Sequence, residues 1–250
     1  MRSSGIRGER FRRSGFFIVL LCCMQVASSQ DSPEPKRLSG PEDSLVVGVL
    51  EFPAGEGPHP AVVILHGAAG WHPRYIRMAR LLADSGFVAL ALDYYAGTGS
   101  SLIASSEKLE KWPSYQTSIR NAVSYLHTLP AVEGRPIGLL GFSRGAFLAI
   151  SVAASIPSVE AVVDFFGGGG GGSQPLEQEI AGLPPLLILH GGNDQVVPVS
   201  FAHNLKDAVI KNNGIVEMQI YPEEGHGLSE VTLPDAFRKT VKFLRKYLEE

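Results

Sequence analysis

The chain has 250 residues, 44% of them hydrophobic and 19% charged, enough to bury the core of one α/β domain. Its net charge of −3 hides an asymmetry: residues 1–29 hold five Arg and one Glu, and the rest of the chain holds 17 basic and 24 acidic residues, a balance of −7. A domain so charged has no basic face to neutralise phosphates, which excludes nucleic acid as a partner, and no internal repeat divides it.

The N-terminal segment reads first. Arg2, Arg7, Arg10, Arg12 and Arg13 precede the apolar run from Phe16 to Met24, and the small residues Ala27, Ser28 and Ser29 follow. This layout predicts a secretory signal peptide over residues 1–29, cleaved near Ser29, and a secreted or periplasmic product. The apolar run is short for a stable membrane span, so none is expected in the mature chain; a short uncleaved anchor is the competing reading. Cys22 and Cys23 are the two cysteines and both lie in that run, so the mature chain is expected to fold without a disulfide. Residues 30–43, with Pro33, Pro35 and Pro41, read as an extended linker. The folded domain is expected over 44–250.

Within that domain the apolar runs predict strands at Leu45–Phe52, Ala61–Leu65 and Val88–Leu92, then from about Arg135 into Gly141, then at Val159–Phe165, Pro185–Leu189 and Val216–Tyr221. Helical patterns fall at Pro73–Ser85, Ser114–His127, from Arg144 onward, at Phe201–Lys211 and at Leu233–Leu248, with a polar stretch from Thr98 to Lys111. Apolar strands alternating with helices predict one α/β domain built on a mostly parallel sheet with helices on both faces.

Residues with chemical potential fall at the ends of these strands. Gly141-Phe142-Ser143-Arg144-Gly145 reads G-x-S-x-G between a strand and a helix, a turn that exposes the serine hydroxyl at the strand end and leaves no room for side chains at either glycine. In the α/β-hydrolase fold such a serine is followed in the chain by an acid and then a histidine. Asp194, in the loop after the strand that ends at His190, is the leading acid; Asp164, at the end of the preceding strand, competes with it. His226, between Gly225 and Gly227, is the leading base, ahead of His66, His190 and His203. The backbone N–H of Arg144, just after the serine, is the first expected oxyanion donor. Trp71, His72, Tyr94, Tyr95, Phe165 and Phe166 sit at strand ends or beside the loop after the first core strand and are candidates to line a substrate pocket, though core packing accounts for the phenylalanines equally well. Arg74 and Arg144 are candidates to hold a substrate carboxylate. The run Gly167–Gly172 precedes no suitable helix start, so a mobile loop beside the site is the expected reading rather than a phosphate cradle.

From about Ser44 to the C-terminus the chain resembles the dienelactone hydrolase family of α/β-hydrolases. The matching residues are His66-Gly-Ala-Ala-Gly70, Gly86 through Tyr95, Gly141-Phe-Ser-Arg-Gly145, Phe165-Phe-Gly167, His190-Gly-Gly-Asn-Asp194 and Gly225-His226. The resemblance implies a Ser143–His226–Asp194 triad, a second oxyanion donor at the backbone N–H of Ala68, and no cofactor or metal. Two departures stand out. The namesake enzyme uses a cysteine nucleophile and a glutamate in the first loop, where this chain has Ser143 and Gly67. The expected activity is hydrolysis of a small-molecule carboxylic ester or lactone through an acyl-enzyme. The alternatives are a serine peptidase of the prolyl-oligopeptidase type, for whose propeller or cap the chain lacks room, and a non-catalytic secreted binding protein on the same scaffold.

Overall fold

The computed structural model describes residues 34–41, 44–98, 110–171 and 175–249. The expected signal peptide lies outside them, as does most of the polar stretch between Thr98 and Lys111. The described strands are β1 (Lys36–Ser39), β2 (Leu45–Glu51), β3 (Ala61–Leu65), β4 (Val88–Leu92), β5 (Ile137–Phe142), β6 (Val159–Phe165), β7 (Leu186–Gly191) and β8 (Val216–Tyr221). The described helices are α1 (Arg74–Asp84), α2 (Trp112–His127), α3 (Arg144–Ala153), the single turn α4 (Leu176–Glu179), α5 (Ser200–Lys211) and α6 (Leu233–Leu248).

All eight strands join one sheet in the order β1-β2-β4-β3-β5-β6-β7-β8. Pairing is antiparallel from β1 to β2 and from β2 to β4, and parallel throughout the rest. Strand periodicity divides the side chains between two core layers. In β3, Ala61, Val63 and Leu65 face one layer, shared with apolar residues of α2, α3 and α5, whereas Val62 and Ile64 face the other, built with α1 and α6. With both faces covered, β3 and β4 are fully buried along their length, which explains their unbroken apolar runs.

One expectation is corrected. Residues 36–39, read as linker, form β1 at the sheet edge, with Lys36 opposite Gly48 and Ser39 opposite Leu45. The reading missed it because Lys-Arg-Leu-Ser offers no alternating apolar face; polar, largely exposed side chains are what an unpaired sheet edge favours.

The connection from β3 goes to β4 on one side, while β5 pairs on the other side of β3. Where strand order reverses in this way, the carboxyl ends open a crevice. The loop from His66 and the turn at Ser143 both leave the sheet at that point.

Candidate active site

Ser143 occupies the turn between β5 and α3 with φ 52° and ψ −117°. A side-chain-bearing residue rarely adopts this backbone, and its presence marks a turn held by its surroundings. The Ser143 N–H donates to the Phe165 carbonyl at 2.8 Å, and the Ser143 carbonyl accepts from Ala146 N–H at 2.9 Å. Both flanking glycines are sterically required. A Cβ on Gly141 would lie 2.3 Å from Ala146 N, and one on Gly145 would lie 2.3 Å from the Leu65 carbonyl oxygen.

The loops after β7 and β8 bring Asp194 and His226 to this serine. His226 Nδ1 lies 2.7 Å from Asp194 Oδ2, and His226 Nε2 lies 3.0 Å from Ser143 Oγ. Asp194 is buried, and its Oδ1 accepts the N–H groups of Val196 and Val197, each at 2.8 Å. That carboxylate is therefore fixed on one oxygen by backbone and presents the other to the imidazole. A carboxylate only accepts, so Nδ1 carries a proton toward Asp194 and Nε2 is left to accept from the serine hydroxyl. His226 sits in a tight turn, with Gly227 N–H donating to the Gly225 carbonyl at 2.9 Å. The two loops touch backbone to backbone: a Cβ on Gly191 would lie 2.2 Å from the Gly225 carbonyl oxygen. Glu224 anchors the histidine loop by accepting from Ser229 N–H, Ser229 Oγ and Thr232 Oγ1. Burial is the largest single influence and pushes its carboxyl up, but the three hydrogen bonds together outweigh it and hold the group below the ordinary carboxylate range.

The competing residues take other hydrogen-bond partners. His190 is fully buried and its Nε2–H donates to the Val197 carbonyl at 2.9 Å. Burial lowers its pKa, so its 3.4 Å approach to Asp194 Oδ2 joins a neutral ring, not a cation, to the carboxylate at neutral pH. Asp164 is buried under the glycine run and accepts the Gly167 N–H at 2.7 Å. His66 opens the loop after β3, stacked on Tyr94 with ring centroids 3.8 Å apart.

That loop is unusually well held. Tyr94 Oη donates to the His66 carbonyl at 2.9 Å, Gly67 N–H donates to Tyr75 Oη at 3.0 Å, and Tyr95 Oη donates to the Ala68 carbonyl at 3.2 Å. The Gly67 carbonyl accepts from Gly70 N–H at 3.0 Å and from His66 Nδ1 at 2.9 Å. In a trans peptide the N–H points opposite to the C=O, so the Ala68 N–H faces away from those two donors. Among the described residues no hydrogen bond engages the N–H of Ala68 or of Arg144. A Cβ on Gly67 would lie 3.7 Å from Ser143 Cβ, so the loop runs directly beside the serine.

The expected aromatic pocket needs correction. Tyr94 and Phe165 are fully buried in the two core layers, and Tyr95 is 6% exposed with its hydroxyl engaged. They cannot line an open surface, because each side chain turns inward at its strand end. Phe166 has φ 45° and sets its ring against His226, with centroids 5.4 Å apart. Trp71 is half-buried and His72 exposed, its Nδ1 accepting the Arg74 N–H at 3.1 Å. Arg74 lies over the Tyr75 ring, whereas Arg144 is directed to Tyr95 Oη at 2.7 Å. The glycine run is packed over its described part: Gly170 N–H donates to the buried Glu179 at 2.7 Å, and Gly171 leaves no space for a Cβ against Phe147. Sequence reasoning missed Tyr75 and Glu224. Tyr75 belongs to the apolar stripe of α1, where nothing distinguishes a hydroxyl that meets a loop from plain core.

A mostly parallel sheet with a serine turn at its switch point, joined by histidine and acid loops from later strands, defines the chain as an α/β-hydrolase. Residues 46–246 match the model of the dienelactone hydrolase family. The chain belongs to that family and is a hydrolase of ester bonds. It is 28% identical over 199 residues to a Methylorubrum extorquens protein named "Putative carboxymethylenebutenolidase", covering 74% of this chain and 68% of that one. Against mouse acyl-coenzyme A thioesterase 5 it is 36% identical over 141 residues, covering 56% of this chain and only 31% of the thioesterase. A Klebsiella pneumoniae crystal structure described as a "Putative Dienelactone Hydrolase" superposes with a TM-score of 0.73 at 19% identity, covering 85% of this chain and 98% of that one.

Proposed function

We propose that the chain is a serine esterase acting on small-molecule carboxylic esters or lactones, and that it works outside the cytoplasm after loss of residues 1–29. The observation carrying the catalytic part is the relay of two hydrogen bonds, 2.7 Å from Asp194 to His226 and 3.0 Å from His226 to Ser143. Ser143 Oγ attacks the ester carbonyl while His226 Nε2 takes its proton, and Asp194 stabilises the imidazolium through Nδ1–H. The Ala68 and Arg144 N–H groups stabilise the oxyanion, each worth roughly 3 kcal/mol of barrier in comparable sites. His226 then protonates the leaving alcohol, and water repeats the sequence on the acyl-enzyme. The serine replaces the thiol of the family's namesake and needs no glutamate at position 67, because His226 already faces its hydroxyl. The extracellular part rests on the basic, apolar and small-residue order of the N-terminal segment.

The test is labelling of the purified chain with a fluorophosphonate, followed by hydrolysis of a short aryl ester. Labelling and turnover that both vanish in Ser143→Ala are expected. A folded protein that neither labels nor turns over defeats the reading and favours a binding role.

A further inference from the structure

We propose that Tyr95 is a positioning residue that ties the two halves of the oxyanion hole together through a single hydroxyl; the inference rests on the esterase reading above. One half of the hole is carried by α3, through the Arg144 N–H, and the other by the loop after β3, through the Ala68 N–H. These segments are far apart in the chain, and their relative position decides whether both donors reach one oxygen.

Tyr95 Oη lies between them. Arg144 Nη1 donates to it at 2.7 Å, and it donates in turn to the Ala68 carbonyl at 3.2 Å. The direction is forced: a guanidinium only donates, a carbonyl only accepts, and a phenol does one of each. The charged donor polarises the phenol and strengthens its bond to Ala68. Burial pushes the Tyr95 phenol up and outweighs the neighbouring Arg144, so the proton that Ala68 needs is kept. The ring is packed in edge contacts with His66, centroids 4.7 Å apart, and with Tyr94 at 4.9 Å. The Gly67 N–H and carbonyl are already held by Tyr75, His66 and Gly70. The bond to Ala68 therefore fixes the last free peptide plane beside the donor. Arg144 consequently acts through its side chain as well as its N–H, and the guanidinium is committed to the protein and not to a substrate carboxylate.

The experiment compares Tyr95→Phe, Arg144→Met and the double variant in the full chain. Tyr95→Phe keeps the packed ring and removes only the hydroxyl; Arg144→Met keeps the backbone donor. Each single variant is expected to lose roughly 10- to 100-fold in kcat on an aryl ester, with KM within about twofold, because misplacing a preorganised group costs the transition state and not the ground state. Affinity for an aryl boronate, whose tetrahedral adduct places an oxygen in the hole, should fall in parallel with kcat. The double variant should be no worse than about twofold below the weaker single one, since both break the same chain. A Tyr95→Phe enzyme with wild-type kcat, or losses that multiply in the double variant, overturns the proposal. Amide exchange at Gly67 and Gly70 gives a second readout. It should accelerate equally in both single variants, and unchanged exchange refutes the tie even if the wild-type chain hydrolyses no ester. Loss of the esterase reading is separately visible as absent labelling of the wild type at Ser143.

Discussion

Ser143 is held in a backbone region that costs a side-chain-bearing residue on the order of 1–3 kcal/mol. The cost is met by surroundings that permit no other arrangement: the Phe165 carbonyl takes its N–H, and the glycines on either side admit the start of α3 and the end of β3. Its partners obey the same logic of fixed donors. Asp194 has one oxygen committed to two backbone N–H groups and one to His226. In Asp194→Asn the amide oxygen can keep the backbone bonds, but the NH2 then faces Nδ1 and drives the imidazole to the tautomer with a proton on Nε2. That nitrogen can no longer accept from Ser143. We expect kcat to fall about 10⁴-fold while the thermal midpoint barely moves; steady-state kinetics beside a melting curve checks both. A loss below tenfold would remove Asp194 from its role.

At the scale of one element, β6 carries a buried acid that chain order alone left in competition with Asp194. Asp164 faces the core beside the first glycines of the run, with Oδ1 accepting the Gly167 N–H and Oδ2 buried without a hydrogen-bond partner among the described residues. Burial raises its pKa to about 7, and the Gly167 hydrogen bond offsets this only in part. The folded pKa thus exceeds the unfolded one. The stability linked to the bound proton is complete below about pH 4 and is lost as pH rises through about 7, an effect of up to a few kcal/mol. Asp164→Asn keeps the acceptor for Gly167 and cannot ionise. Urea unfolding from pH 4 to 8 should therefore show the variant gaining on the wild type as pH rises, and parallel curves across that range would contradict the account.

On the scale of the whole molecule, β1 closes the sheet where β2 would otherwise end it. Its four residues pair with Leu45–Gly48 of β2 and keep Lys36, Arg37 and Ser39 exposed. A chain started at Glu34 should melt as the full protein does, whereas one started at Ser44 should melt roughly 2–4 °C lower for each kcal/mol of lost pairing and aggregate sooner through the bared edge. Equal melting and solubility would make β1 dispensable. The α/β architecture was legible in the chain, and Ser143, Asp194 and His226, singled out there for their types and order, are residues that the structure brings within hydrogen-bond reach of one another. Buried parallel strands require continuous apolar runs, tight turns at close backbone approach require glycine, and acyl transfer requires a nucleophile, an acid and a base of restricted types in a restricted order. Each of these is a local constraint that leaves a local trace. Side-chain direction at a strand end leaves no such trace. Tyr94 and Phe165 turn into the core, Phe166 turns to His226, Asp164 turns under the glycine run, and Tyr75 and Tyr95 reach back to a loop carried by β3. Those outcomes depend on which strand lies next to which, and only the packing of β4, β3, β5 and β6 side by side decided them.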